Sequence, residues 1–399
     1  MVGAAIGTGL VARAAERGGA DFLLALNAGR LRAQGLPSAA SMLPVGDANA
    51  DTAALAAHEI APQVSVPVHD GLSVFGGPAR PTSRLAELAE TRLAGVVNFP
   101  GVVHYPPDVR RALDDAGAGF DAELEMLADA RAAGFRILAY VKSGSGSGAE
   151  AAGRLAPEMI CINFGWNAGG RLTDLVPDVS IDEAILRARH IARRLTRAAP
   201  GTHVLIEGGP VIHPRQVAEI CAEAGTHGYV GGSTLDRLPI EESVYDRALA
   251  FKAAALARQA GLVGPSLALE ETIGRLSALA EGPGPVLISG VPGTQRRGAA
   301  QLLDRLLGAR GAPAQLFTEE QPEIETGILL FGRGADRPGL IERADQAILR
   351  IEPLAGLTHR WQRKLARFLD RGQVTRYRGQ TTRRAADRHP FGHGAVGSG

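Results

Sequence analysis

The chain has 399 residues, 45% hydrophobic and 21% charged, which excludes wholesale disorder and leaves room for a barrel-sized unit plus a smaller one. Forty-three basic residues nearly balance 42 acidic ones, and a net charge of +1 argues against a surface built throughout for polyanions. Two cysteines, Cys161 and Cys221, cannot staple so large a scaffold, so a reducing, cytoplasmic setting is expected. No apolar run reaches bilayer length and the first residues do not read as a signal peptide, so no membrane partner is expected.

In chain order, apolar runs predict strands at 2–6, 21–26, 66–69, 95–98, 136–141, 159–163, 203–206 and 228–230. Amphipathic stretches predict helices at 10–17, 52–60, 84–92, 122–133, 181–198, 215–224 and 241–259. Strands apolar on both faces, each followed by a helix, indicate parallel pairing covered on both sides. Eight such units in roughly 250 residues have the rhythm of a (β/α)8 TIM barrel. A doubly wound open sheet is the alternative. Gly/Pro clusters at 261–265 and 281–285, with a helix expected between them, mark a linker at 261–284, between a barrel domain at 1–260 and a smaller α/β domain at 285–391. Strands are predicted there at 286–289, 327–331 and 347–351, a helix at 298–307, and a frayed tail at 392–399. Segment 359–388 carries ten Lys/Arg against two acids, but its aromatics are sparse. A solvated helix is therefore expected, and nucleic acid is not an expected partner.

The strand ends hold the polar residues with chemical potential. Glu207-Gly-Gly-Pro210 and Gly231-Gly-Ser233 end strands seven and eight. Gly208, Gly209, Gly231 and Gly232 let backbone N–H groups approach an anion, and Ser233 adds a hydroxyl. Phosphate sites in TIM barrels often use these two loops, although plain tight turns would need the same glycines. Asn27 and Arg30 follow strand two, and Arg30 has the forked geometry for a carboxylate or phosphate. A surface role is its alternative. Asn98, at the end of strand four, completes the expected anion-binding set. Glu125, Glu207 and Asp70 are the acid/base candidates, and Asp70 with Glu123 or Glu207 the candidates for holding Mg²⁺. Glu123 and Glu125 lie two apart and do not share a helical face, so one is expected inward and the other as a cap. Lys142 precedes the flexible Ser143-Gly-Ser-Gly-Ser-Gly148 and reads as a phosphate-side lysine or a Schiff-base nucleophile. Cys161 reads as core filler, and His69 as an acid/base or a rim histidine.

Several strings carry a family resemblance together: Gly7-Thr-Gly9, Asn27-Ala-Gly-Arg30, Pro44-Val-Gly-Asp-Ala-Asn49, Val97-Asn-Phe-Pro100, Glu123-Leu-Glu125, Gly165-Trp-Asn-Ala-Gly-Gly170, Gly208-Gly-Pro210 and the run 231–241. Their order and spacing over the first 252 residues resemble the phosphoenolpyruvate hydrolase-like TIM-barrel family, related to phosphoenolpyruvate mutase and isocitrate lyase. The resemblance implies a TIM barrel with hydrolase or lyase chemistry on a small anionic substrate, Mg²⁺ as a candidate cofactor, and self-association. Three places depart from the family pattern. Glu207 stands where a histidine is usual, the strand-three loop reads His69-Asp-Gly-Leu-Ser-Val-Phe-Gly-Gly-Pro78, and Trp166, Asn167 and Ala168 replace the middle of the strand-six loop. These changes fall on the rim where barrel enzymes work. A diverged substrate or a non-catalytic binding protein both follow.

In the second domain, Gly290-Val-Pro-Gly-Thr-Gln-Arg-Arg297 lies between a strand and a helix, the context of a phosphate-binding P-loop. Gly290 and Gly293 are present, but Gln295 replaces the second motif glycine, Arg296 the lysine and Arg297 the metal-binding hydroxyl. The unit loosely resembles a degenerate small-molecule kinase of the uridine kinase type, and a non-catalytic module is expected.

Overall fold

A computed structural model describes residues 1–43, 46–75, 81–167, 169–170, 177–282, 284–308, 314–344, 348–379, 382–384 and 395–398. Pro44 and Val45 of one family string, residues 76–78 of the strand-three loop, Ala168, residue 347 of a predicted strand and parts of 380–394 lie outside the described residues.

Eight parallel strands close into a barrel in sequence order: β1 (Val2–Ile6), β2 (Phe22–Ala25), β3 (Val68–Leu72), β4 (Gly95–Asn98), β5 (Arg136–Lys142), β6 (Met159–Asn163), β7 (His203–Glu207) and β8 (Gly228–Gly231). Pairing of Val2 with Tyr229 and Gly3 with Val230 brings β8 back to β1 and leaves no edge, which excludes the open sheet. The helices of this unit are α1 (Gly9–Arg17), α2 (Asn27–Ala33), α3 (Ala48–Ala54), α4 (Pro81–Ala89), α5 (Pro107–Asp115), α6 (Phe120–Ala132), α7 (Gly146–Gly153), α8 (Ile181–Ala198), α9 (Pro214–Ala224) and α10 (Ser233–Asp236). Their starts are written locally. Thr8 Oγ1 accepts the Val11 N–H at α1, and Ser180 accepts the Glu183 N–H at α8.

Strand alternation divides the core into two layers. Ala5, Leu24, Val97, Leu138, Cys161 and Leu205 fill the barrel interior. Ile6, Leu23, Val96, Ile137, Ile162 and Ile206 face the helices. Cys161 is thus buried filler, and both cysteines are free thiols. Among the described residues no helix is long and apolar enough to cross a membrane.

The chain divides into compact units at Ser243/Val244, within α11 (Leu238–Gln259). The stretch read as a linker carries α12 (Leu267–Ala280), whose Leu276 joins Ala300 and Leu303 in a buried cluster of the second unit. Its apolar stripe finds a partner there, so the segment is a structural helix. The second unit holds a parallel sheet ordered β10-β11-β14-β9, from β9 (Val286–Ile288), β10 (Ala314–Phe317), β11 (Leu349–Glu352) and β14 (Ala395–Ser398). β12 (Gln373–Thr375) and β13 (Thr382–Arg384) form an antiparallel pair. Its remaining helices are α13 (Arg296–Leu307), α14 (Glu323–Phe331), α15 (Leu340–Arg343) and α16 (His359–Arg371).

The strand predicted at 327–331 is instead the end of α14. A short apolar run reads alike in a buried strand and a buried helix, and packing decided between them. A β-carbon on Gly327 would stand 2.0 Å from the Trp361 ring, so glycine lets α14 and α16 close on each other. Trp361 stacks on Phe331 there with ring centroids 5.6 Å apart.

Candidate functional site

The C-terminal ends of the strands open into a recess lined by Leu26, Arg32, His104, Trp166, Glu207 and Ser233, among others. Gly208 and Gly232 line it too, so the glycine doublets of β7 and β8 do share one mouth. The cavity is small, about 20 Å³, roughly what one ordered water requires.

Glu207 is the acid at this mouth. Register aligns it with Asn163, and alternation turns both the way of Cys161 and Leu205, inward. Burial raises its carboxyl to about 7, against the opposing influence of Tyr140, Arg32 and Asn163. The Tyr140 hydroxyl is close enough to affect Glu207, yet it is sealed and completes no hydrogen bond of ordinary geometry. Gly232 keeps the point open. A β-carbon on it would stand 3.4 Å from Glu207 Oε1 and 3.5 Å from Arg32 Nη1.

The mouth cation is Arg32, and Arg30 is corrected. Arg30 is exposed and pairs with Glu59 at 2.9 Å on the surface. Two residues along a helix is a turn of about 200°, which sends the two side chains to opposite sides. Arg32 is 9% exposed and forks onto Asp236, Nε to Oδ1 and Nη2 to Oδ2, both at 2.7 Å. It also donates to the Ala5 carbonyl at 2.8 Å and to Ser38 Oγ at 3.1 Å. Most of its donors are therefore committed within the protein. Ser233 Oγ lies 3.0 Å from Ser38 Oγ, and Asn27 is buried and donates to the Ser41 carbonyl at 3.2 Å, with its Oδ1 unpartnered.

The glycine doublets do less as anion donors than their sequence suggests. Gly208 and Gly209 have φ of +83° and +56°, and the Gly209 N–H donates to the Gly165 carbonyl at 2.9 Å. A β-carbon on Gly208 would meet that carbonyl oxygen at 2.0 Å, so the doublet docks the strand-six loop. Gly231 ends β8 against the Leu235 side chain.

Three acidic candidates change role. Glu125 is exposed on α6 and does not face the mouth. Glu123 is fully buried, and both of its oxygens are occupied, Oε2 by Asn98 Nδ2 at 2.7 Å and Oε1 by the Val102 N–H at 2.6 Å. Asn98 Oδ1 accepts the Tyr140 N–H at 2.7 Å, so this pair ties β4, β5 and α6 together and does not reach the mouth. Burial raises Glu123 to about 8, with the two hydrogen bonds opposing. Asp70 lies mid-strand because β3 runs on to Leu72, beyond the predicted end. It shares Val68 and Leu72's parity and faces the helix shell, fully sealed, with neither oxygen hydrogen-bonded. Burial pushes its carboxyl well above the usual range, and only Arg84 opposes. His69, one residue earlier, is buried in the interior beside Phe22 and held to about 4, chiefly by burial.

Sequence reasoning missed Asp236, Tyr140 and the stack of His104 on Trp166, with centroids 4.8 Å apart. Asp236 stood within the family string 231–241, and Tyr140 shares the inward parity of Leu138. The stack joins two loops distant in sequence and left no local signal. In the second unit Gln295 adopts φ +58°, a backbone region natural to the glycine it replaces, and Gly293 has φ +88°. Thr294 lies 2.5 Å from where a β-carbon on Gly290 would stand. Arg296 begins α13, and Arg297 Nε reaches Glu352 Oε2 on β11 at 3.5 Å.

Residues 1–254 match the phosphoenolpyruvate hydrolase-like family. The chain is 34% identical over 396 residues to the putative transcriptional regulatory protein y4pA of Sinorhizobium fredii, covering 94% of this chain and 64% of that one. It is 32% identical over 246 residues to the ToMV resistance protein Tm-1(GCR237) of Solanum lycopersicum, covering 61% and 32%. It thus spans less than two thirds of each of these relatives. A solved phosphonopyruvate hydrolase in complex with oxalate and Mg²⁺ aligns at 16% identity and a TM-score of 0.44, over 70% of this chain and 93% of that one. With an eight-stranded parallel barrel and a family match over its full length, the chain belongs to the phosphoenolpyruvate hydrolase-like family.

Proposed function

We propose that the barrel is an enzyme of the phosphoenolpyruvate mutase and hydrolase-like group. Its substrate is a small carboxylated or phosphorylated molecule, and its chemistry is hydrolysis or bond cleavage through an enolate. One observation carries this reading: a lone carboxyl at the mouth, Glu207, raised by burial to about 7. A group that titrates near neutrality can both take and return a proton. Glu207 would remove a proton from the attacking water or from carbon beside a substrate carbonyl, and deliver it to the leaving group. The Ser233 and Ser38 hydroxyls would face the developing negative charge, and the Tyr140 hydroxyl would sit beside Glu207.

For Mg²⁺, which the resemblance implies, only Glu207 of the expected donors lines the mouth. Both Glu123 oxygens already accept hydrogen bonds, and Asp70 is sealed against the helix layer. Among the described residues no three His, Cys, Asp or Glu side chains gather to hold an ion. No step is routed through a metal.

The test is a turnover screen with phosphoenolpyruvate and related oxo-acids. Glu207→Gln should lower kcat about 100-fold or more and abolish a rise in rate as pH passes about 7, the sign expected of a base that must ionise. Turnover indifferent to both Glu207→Gln and Ser233→Ala overturns the proposal.

A second reading, a non-catalytic anion- or nucleotide-binding regulatory protein, is favoured by the small mouth cavity and by the names of the curated relatives, a putative transcriptional regulator and a resistance protein. The 290–297 loop, with arginine in place of the metal-binding hydroxyl, suits such a module. Ligand-specific thermal stabilisation without turnover would select this reading.

A further inference from the structure

A second cavity opens at the β4–β5 side of the same barrel end, beyond the turn at Val102–His104. It measures about 370 Å³, within the range of small-molecule pockets. Arg110, Arg111 and Lys142 line it, with Ser145, Gly148 and one acid, Asp114.

Among the described residues none of these three clustered cations pairs with a carboxylate. Arg30, Arg32, Arg84, Arg187, Arg189 and Arg194 all form ion pairs. Among the described residues no ion pair or side-chain hydrogen bond engages Arg110, Arg111 or Lys142, and Arg110 Nε is buried without a partner. Asp114 offsets only one of the three positive charges, and its Oδ1 accepts the Phe120 N–H at 3.2 Å. The crowding has an electrostatic cost. The Lys142 ammonium is held below its usual range first by burial and then by Arg110, with Asp178 opposing and Arg187 adding. An anion placed among these groups would relieve that repulsion.

The backbone points the same way. Ser145 caps α7, and its Oγ accepts the Gly148 N–H at 3.1 Å, leaving the hydroxyl proton free to donate. First-turn N–H groups of a helix lack partners within it and favour negative charge. Gly148 lines the pocket and puts no side chain into this turn.

We propose that this pocket is a phosphoryl-binding subsite, separate from the Glu207 mouth. Arg110 and Arg111 supply forked donors, Lys142 a point charge, and Ser145 with the start of α7 neutral donors. Its volume exceeds a bare phosphate and suits a phosphate monoester, whose remaining hydroxyls would meet the second Asp114 oxygen. The proposal does not depend on catalysis at Glu207.

The test is calorimetric titration of the full chain, at fixed ionic strength, with inorganic phosphate, glycerol 3-phosphate and glycerol. Glycerol 3-phosphate should bind and glycerol should not. Equal binding of inorganic phosphate identifies the phosphoryl group alone as the ligand, and weaker binding identifies the ester; both support the subsite. Arg110→Gln with Lys142→Gln should weaken binding about tenfold or more, whereas Ser233→Ala should leave it unchanged. Should the double variant melt early, Arg111→Gln on the exposed face of α5 carries the test, with weakening of about threefold. Binding of neither phosphate compound, binding unmoved by these variants, or loss only in Ser233→Ala overturns the proposal.

Discussion

The two sides of the barrel mouth carry similar charged residues in opposite states. At the β7–β8 side Arg32, which lines the recess, is locked by Asp236, a carbonyl and a hydroxyl. At the β4–β5 side Arg110, Arg111 and Lys142 share a pocket, and among the described residues no carboxylate pairs with them. A count of basic residues would rank these regions by number alone. What separates them is commitment: a paired arginine holds the scaffold, and an unpaired one remains available to a ligand.

Three measurements test that contrast. Arg32→Met should cost the most, about 3–5 kcal/mol in denaturant unfolding, because it leaves Asp236 buried without its counter-charge. A small loss would mean that the pair is not structural and that Arg32 is free for substrate.

Glu123→Ala should come next, at about 2–4 kcal/mol, since the Val102 N–H would be left buried and unpaired and Asn98 Nδ2 would keep only its bond to the Tyr140 carbonyl. Its protonation adds a pH signature. A carboxyl raised in the folded state from near 4.5 to about 8 favours folding below the lower value, and that contribution is lost as pH rises through the upper one. The native protein should therefore lose stability across that window, and Glu123→Gln should flatten the decline. A profile unchanged by the substitution would place the titration elsewhere.

Arg30→Ala should cost the least, at most about 1 kcal/mol, because both partners of its ion pair with Glu59 are exposed. A larger loss would erase the distinction between Arg30 and Arg32.

How much was legible in the sequence follows from how local each signal is. Eight strands and the closure they imply were readable, because apolar runs between helices repeat on a fixed rhythm. Glu207, Ser233 and the glycine doublets were readable as mouth residues, because they immediately follow strands seven and eight. Asp70 was misplaced because β3 runs past His69 to Leu72, which puts Asp70 mid-strand, and alternation then sends it to the helix shell. Arg30 was preferred to Arg32 because sequence spacing alone gives no absolute orientation of a helix against its sheet. The 327–331 run was read as a strand because its deciding contact, Trp361, lies more than thirty residues away.

The amino-acid order by itself therefore determined the repeating strand and helix units, the family and the rim on which chemistry would be sought. Those features depend on periodicity and on neighbours a few residues apart. Only the tertiary structure decided which charges are paired, which acids are sealed, and which arginine meets the mouth. Pairing and burial are set by groups brought together across the barrel, such as Arg32 and Asp236, 204 residues apart in the chain.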